Sequence, residues 1–580
     1  MEHFLEDFPR ISTGEWEAAI ARDLKGADCN KRLTWSSEEG FVVKPYFRAE
    51  DLKDLAWVDS APGTFPYRRG GRSTGDWKIR EEIDAADAES ANRAARAAIA
   101  AGAEEIAFSQ FLLGRSNELD LLFANLCEIP NHFSNADERL LRLLCERLGS
   151  GLMTARVSTG CDAIDSIDFA AEVIDAAPMG LVPFTVHGEA FEEAGATAAE
   201  EVGFALAAGV DFLAAMQERG MDTDRTAAAL EFCFAMGSSF FFQIAKLRAF
   251  RMVWARAVEE FGGARSGALA RVAARTSRWN KTIYDPHLNI LRATTEAMAA
   301  ALGGADAVTV SPFDVCYGQP DDASRRLARN TQLVLKHEAW MGRVADAGGG
   351  SYYLETLTDL LAREGWKRMQ EIERRGGYRR ARAEGFIALA LERSMATREK
   401  SLALRRRVLV GTNQFANPAE RALGRCEIDR MSETRRGAQP FEEIRLRTER
   451  HAMEGKKTPR VLLAQFGDVK ARRARSNFAA NLFACAGFET VTRRFRTTAG
   501  IARVKSDLIV LCGADAENAD IAAQLLPTMK ALGRTTPLVA VGIPENAKRL
   551  AVVGIADFVH SRCNRVEVLT KWQERLGMKS

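Results

Sequence analysis

Between Trp57 and residue 395, apolar positions alternate between two modes: short, nearly continuous apolar runs and longer Ala-rich stretches at helical spacing. The short runs predict strands at Glu105–Ser109, Leu152–Val157, Leu181–Val186 and Ala307–Val310. The longer stretches predict helices at Ala88–Ala101, Asp137–Leu148 and Ala196–Ala207. Strand-then-helix units repeated over this length favour a (β/α)8 TIM barrel, of class α/β, over an open sheet, although periodicity does not count the units. Leu230 to Glu260 reads as one helix, with Ile244, Leu247, Phe250 and Val253 as a core stripe and Lys246, Arg248 and Arg251 on other faces.

The pattern differs on either side of residues 51–395. Residues 1–50 predict an N-terminal arm, with an amphipathic helix from Thr13 to Leu24 and an extended piece at Val42 and Val43 before Pro45. Residues 396–458 hold Arg405-Arg406-Arg407, Arg435-Arg436 and Lys456-Lys457 among polar residues, which reads as a solvated, partly helical connector. Aromatic residues are too sparse there to favour an RNA-binding patch. Residues 459–580 return to short apolar runs, such as R-V-L-L-A-Q-F, D-L-I-V-L-C-G and P-L-V-A-V-G-I, separated by helices. This predicts a smaller doubly wound, flavodoxin-like domain whose ligand crevice lies at strand C-termini such as Phe466-Gly467-Asp468 and Cys512-Gly513.

Composition narrows the function. The 580 residues are 47% hydrophobic and 27% charged, with a formal net charge of +2, so no overall field steers nucleic acid or an anionic membrane to the chain. The 10 cysteines include no C-x-x-C pair, which fits reduced thiols in the cytoplasm. Met1 to Arg10 carries Glu2, Glu6 and Asp7 and no apolar core, unlike a secretory signal. No uninterrupted apolar run reaches the roughly 18 residues of a membrane span.

Several motifs occur in order along the chain: P-G-T-F-P-Y-R-R-G (Pro62–Gly70), W-K-I-R (Trp77–Arg80), G-E-A-F-E-E-A-G (Gly188–Gly195), I-A-K-L-R-A-F-R (Ile244–Arg251), D-P-H-L-N-I-L-R (Asp285–Arg292), R-L-A-R-N-T-Q (Arg326–Gln332), G-G-S-Y-Y-L-E (Gly349–Glu355) and P-F-E-E-I-R (Pro440–Arg445). Together they resemble the adenosylcobalamin-dependent acyl-CoA mutases of the methylmalonyl-CoA mutase family. The resemblance implies acyl-CoA bound along a barrel axis, and cobalamin between the barrel and a C-terminal cobalamin-binding domain. The cofactor supplies the radical chemistry, and the protein shields and positions it.

On that resemblance, several family features are missing. Catalytic members carry a Tyr and a His where this chain has Glu189 and Ala190, so no donor remains for the thioester carbonyl. His187 reads as structural, because strand alternation turns it away from Ala190. The loop from Gly71 to Asp76 is short and lacks the family's Tyr, and Tyr284 replaces a Gln. No Gly-Thr-Ile-Gln-Asn-Asp-like substrate segment stands between Asn125 and Asp162. The cobalt-ligating Asp-x-His-x-x-Gly is replaced by a degenerate loop, Gly467, Asp468, Val469, Lys470 and Ala471, and no His occurs from Ala452 to Val559. The expectation is a chain with no catalytic residues, no metal ligands and no cobalamin of its own. It resembles the small (beta) subunit of the bacterial heterodimeric enzyme, whose large catalytic subunit carries adenosylcobalamin. Gly303–Asp314 and Ala474–Phe483 carry that likeness. Two alternatives stay open: an active mutase for another acyl-CoA, or a non-enzymatic binding module using Arg472, Arg473 and Arg475.

Overall fold

The computed structural model describes residues 11–85, 87–110, 116–126, 128–149, 156–423, 435–542, 551–555 and 557–578. Eight parallel strands close into a barrel: β1 (Lys78–Asp84), β2 (Glu105–Gln110), β3 (Asn131–Phe133), β4 (Val157–Asp162), β5 (Leu181–His187), β6 (Leu230–Met236), β7 (Arg271–Thr276) and β8 (Ala307–Thr309). Each pairs with the next, and β8 closes on β1 through Ala307↔Lys78. The fold class is thus the α/β barrel with a second parallel sheet that the hydrophobic pattern predicts.

Three local expectations need correction. The strand expected at Leu152–Val157 begins at Val157 and runs to Asp162, and 152–155 lie outside the described residues. Leu230–Glu260 is not one helix. Its first seven residues form β6, and a helix follows at Phe240–Glu260 (α3, after α1 at Gly188–Glu193 and α2 at Ala198–Glu218). L-E-F-C-F-A-M alternates cleanly, so Phe232 and Phe234 pack outward under α3, with Phe232 4.6 Å from the Phe250 ring and 4.7 Å from Trp254. Burying each such ring contributes about 1.5–3 kcal/mol.

The third correction concerns the cations of α3, which are buried rather than turned to solvent: Lys246 is 0% exposed, Arg248 1% and Arg251 2%. Lys246 Nζ donates to Glu201 of α2 at 2.6 Å, and Arg248 donates to Glu355 at 2.8 Å and to Asp346. Arg251 donates to the Gly303 carbonyl at 2.8 Å and to that of Gly304. Each cation ties α3 to a neighbouring element, because a buried charge is tolerated only when it is paired. Periodicity cannot see such partners.

Helix α2 begins at a capping box between Thr197 and Glu200, and it is buried along most of its length. It packs tightly on α5 (Tyr352–Glu373, after α4 at Leu288–Leu302). A Cβ at Gly203 would lie 2.5 Å from Arg368 Cβ, and one at Gly365 2.4 Å from Val202 Cγ1. The arm reaches this helix too, for Glu39 accepts from the backbone N–H groups of Ala198 (3.1 Å) and Ala199 (2.7 Å), where the helix dipole favours a carboxylate.

The C-terminal lobe holds β9 (Arg460–Gln465), β10 (Glu489–Arg494), β11 (Leu508–Cys512), β12 (Leu538–Val541) and β13 (Asp557–Val559), all parallel, in the order β10-β9-β11-β12-β13. The lobe is joined to the barrel by packing as well as by the chain. Trp279, Met395, Leu402 and Phe441 share one apolar cluster with Leu482, Phe483 and Trp572. In the segment read as solvated, Arg435 is exposed, but Arg436 and Arg445 are each 2% exposed. Arg436 pairs with Glu442 at 2.7 Å within and beside α6 (Gln439–Met453).

Candidate functional site

The barrel lumen is crossed by ion pairs. Arg80 of β1 bonds Glu105 of β2 at 2.6 Å and Glu231 of β6 at 3.1 Å. Strands β1 and β6 are not neighbours, so a contact between them must run through the barrel interior. The same argument places Arg275 of β7, 3.2 Å from Glu82 of β1, and His132 of β3, 3.8 Å from Glu231, inside the lumen. Arg80, Glu105 and Glu231 are 5%, 7% and 3% exposed. Burial raises the Glu231 carboxyl and Arg80 opposes it, while Glu105 and Glu231 outweigh burial at Arg80 and raise its pKa. Burial and then Arg80 hold His132 well below the usual imidazole range, so the ring is neutral and shares a hydrogen bond with Ser158 at 2.9 Å. These groups were missed in the sequence. Charged residues an even number of positions apart on one strand, Lys78, Arg80 and Glu82 in K-I-R-E-E-I-D and Arg271 and Arg275 in R-V-A-A-R-T, share a face, and that spacing is the signal that marks such positions as lumen-facing.

At the C-terminal mouth, Gly188–Glu193 is the helical turn α1, so strand alternation ends at His187 and cannot set His187 apart from its neighbours. His187 in fact pairs with Glu189 (Nδ1 to Oε1, 2.9 Å), and its other nitrogen meets the Gly160 carbonyl at 2.9 Å. Burial works against the imidazolium, but Glu189 outweighs it and pushes His187 up to about 9. Glu189 is held below the usual carboxylate range by His187 against the opposing effect of burial. Ala190 lies exposed on α1. Tyr284 joins neither residue. Its hydroxyl donates to Glu449 of α6 at 2.7 Å, and the Arg445 guanidinium lies 3.7 Å from the ring centre.

In the lobe, the degenerate loop forms the turn into α7 (Val469–Ala484). Asp468 caps that helix by accepting from Ala471 N at 2.8 Å, while Val469 and Lys470 are exposed. Gly467 has φ +68°, a left-handed backbone that favours glycine, and a Cβ there would fall 2.1 Å from the Glu517 carboxylate of α8 (Asp515–Ala531), which would have to shift. Arg475 spans the heads of β11 and β12, donating to the Val541 carbonyl at 2.8 Å and to that of Gly513, and it pairs with Asp515 at 2.8 Å. The Phe466 ring packs so closely on Gly513 that a Cβ there would come within 2.2 Å. Arg472 donates to the Gly467 carbonyl at 2.7 Å. Two of the three lobe arginines read as a possible anion site thus serve the chain itself. His560, at the end of β13, accepts from Arg562 N at 3.1 Å. Among the described residues, no cluster of three or more His, Cys, Asp or Glu could hold a metal ion, and no helix is long and apolar enough to cross a membrane.

The family model described as methylmalonyl-CoA mutase matches residues 36–112 and 163–470. The methylmalonyl-CoA mutase small subunit of Porphyromonas gingivalis is 34% identical, the match covering 100% of this chain and 99% of that protein. The small subunit of Streptomyces virginiae is 32% identical over 99% of this chain and 98% of its own length. The large subunit of the same organism is 28% identical over 76% of this chain and 67% of its own length. The family match, which spans β1 through the first strand of the lobe, and the full-length similarity show that the chain belongs to the methylmalonyl-CoA mutase family.

Proposed function

We propose that this chain is the non-catalytic small subunit of a heterodimeric, adenosylcobalamin-dependent methylmalonyl-CoA mutase. Its large partner binds the cofactor and interconverts methylmalonyl-CoA and succinyl-CoA. The observation that carries this reading is the buried Arg80–Glu231 bridge, which with Glu105 occupies the axis along which an acyl-CoA would have to thread. The lobe supports it as well. Arg475, Phe466 and Glu517 fill the crevice, and Asp468 is committed to its helix cap, so these residues do not fit a corrinoid with a protein-derived cobalt ligand. Ala190 offers no hydrogen-bond donor at the C-terminal mouth, and Glu189 is held by His187.

The purified chain titrated with adenosylcobalamin should show no stoichiometric uptake by absorbance and no mutase turnover, and co-expression with a large subunit should give a stable complex that turns over. Stoichiometric corrinoid binding with turnover by the isolated chain would overturn the reading. Ala190→His should not create activity, because the lumen bridge and the filled crevice remain.

A further inference from the structure

Of the three lobe arginines, Arg473 alone is left without a partner among the described residues, and it stands beside an open sheet edge. Strand β10 pairs with β9 alone among the described residues. Glu489 N donates to the Pro459 carbonyl at 3.0 Å and Phe495 N to the Gln465 carbonyl at 2.9 Å, so the odd-numbered residues of this strand face β9. The backbone N–H and C=O groups of Thr490, Thr492 and Arg494 then point away from the sheet, along an edge roughly 20 Å long.

The same edge is strongly basic. Arg493 and Arg494 end the strand, Arg496 follows it, and all three are exposed. On α7, Arg475 reaches towards β11 and β12. A helix turns by about 200° over two residues, so Arg473 projects to the opposite side, towards β10, with Lys470 one turn before it. Among the described residues, none of these five side chains has an ion-pair or hydrogen-bond partner, and the nearby acids are engaged. Asp468 caps α7 at 2.8 Å from Ala471 N, and Glu489, at the far end of the strand, lies 3.3 Å from Arg460. Residues 459–580 hold more Lys and Arg than Asp and Glu, although the whole chain is nearly neutral at +2.

Two observations fix the class of ligand. Outward backbone groups in strand register are met by another polypeptide strand, which a nucleic acid cannot supply. The one aromatic ring of this segment, Phe495, packs inward against the lobe core, so it offers no platform to a base. Unpaired cations on an edge keep two like edges apart, and the same charges favour an incoming strand of opposite sign.

We propose that the edge of β10 receives an extended, carboxylate-rich segment of a partner polypeptide, added as a further strand and held by Arg493, Arg494 and Arg496 with Arg473 and Lys470 beside them. The proposal does not rest on the chain being non-catalytic, and its failure would leave that reading intact. The full chain is titrated calorimetrically at low salt with a ten-residue peptide alternating Glu and Thr, with its counterpart alternating Lys and Thr, and with a ten-nucleotide single strand of DNA. The acidic peptide should saturate at one site per chain, bind more weakly as salt is raised, and slow amide exchange at Thr490, Thr492 and Arg494. Arg494→Glu and Thr492→Pro should each weaken it tenfold or more, the proline because it removes an outward N–H while leaving the pairing with β9 intact. Arg562→Ala, exposed just after β13 at the other edge of the sheet, should leave it unchanged. Absence of saturable uptake of the acidic peptide by the unmodified chain overturns the proposal. So does tighter binding of the oligonucleotide, equal binding of the Lys peptide, or binding that Thr492→Pro leaves unchanged. Should Thr492→Pro fail to fold, slowed exchange at the three outward amides of the unmodified chain decides in its place.

Discussion

The chain closes the barrel lumen and the crevice at the head of the lobe's sheet, the place where a doubly wound sheet ordinarily receives a ligand, by different means. In the lumen, a cation from β1 meets carboxylates from β2 and β6, which are remote in sequence and come together only when the barrel closes. In the crevice, one arginine from the first helix of the lobe covers backbone carbonyls a few strands away, and a phenylalanine packs on a glycine. The first device is collective, since Arg80 bonds two buried acids at once. The second is local, since the carbonyls Arg475 covers can turn to water once it is gone. Loss of one residue should therefore cost much more in the lumen than in the crevice.

The largest expected effect is Arg80→Ala. It strands Glu105 and Glu231 in the barrel interior, and breaking a buried pair of this kind costs about 3–5 kcal/mol. Urea denaturation followed by circular dichroism measures it. A loss below about 1 kcal/mol would show that water already reaches both acids, and would break the contrast. Replacing all three residues together, with Arg80→Met, Glu105→Leu and Glu231→Leu, should recover most of the loss, because a packed apolar trio has no charge to desolvate.

Arg475→Ala is the matching change in the crevice. It removes hydrogen bonds to two strand-end carbonyls and the partner of Asp515, an expected loss of about 1–3 kcal/mol. Hydrogen exchange should locate the loss at the ends of β11 and β12, with the barrel unaffected. Exchange that instead rises throughout the barrel would show the two regions to be one cooperative unit.

The two regions were also unequally legible in the sequence. The lobe's apolar strands and the loop from Gly467 to Ala471 stood out because each is contiguous, and the structure places them at the expected strand end. The lumen bridge did not stand out. Arg80, Glu105 and Glu231 lie on three strands, and nothing local announces that they meet. Reading Leu230–Glu260 as one helix hid the matter further, since it took Glu231 out of the barrel altogether. His187 shows the opposite failure: alternation was applied one turn too far, past the point where β5 becomes α1.

The pH dependence of stability separates the two ends of the lumen. His187 titrates at about 9 when folded, above the ordinary 6.5, so its pairing with Glu189 contributes fully below about pH 6.5 and is lost as pH rises towards 9. His187→Gln should flatten that decline, by about 1–2 kcal/mol, because the side chain is 28% exposed and water screens part of the pair. His132 acts with the opposite sign. Held neutral by burial and Arg80, it costs stability as pH falls below the usual imidazole range, and His132→Gln should flatten the acid side. A single slope across pH 5–9 in the unmodified chain would contradict both assignments.

The smallest expected effect probes the joint between the two regions. Tyr284 carries the barrel loop after β7 onto α6, and the same loop is held by Ile283 N to Glu442 at 2.9 Å and Arg436 to the Lys281 carbonyl at 3.1 Å. Tyr284→Phe keeps the ring under Arg445 and removes only the hydroxyl, while Glu449 still accepts from Ala422 N and Leu423 N, so about 1 kcal/mol should be lost. Tyr284→Gln removes the cation–π stack as well and leaves Arg445 over a gap. It should cost more than Tyr284→Phe, and hydrogen exchange should show the increase in α6 before it appears in β7. If the two variants are equal, the hydroxyl alone makes the joint and the stacked arginine adds nothing. If Tyr284→Gln is the milder, the loop is held by Ile283 and Arg436, and the phenol is not what couples lobe to barrel.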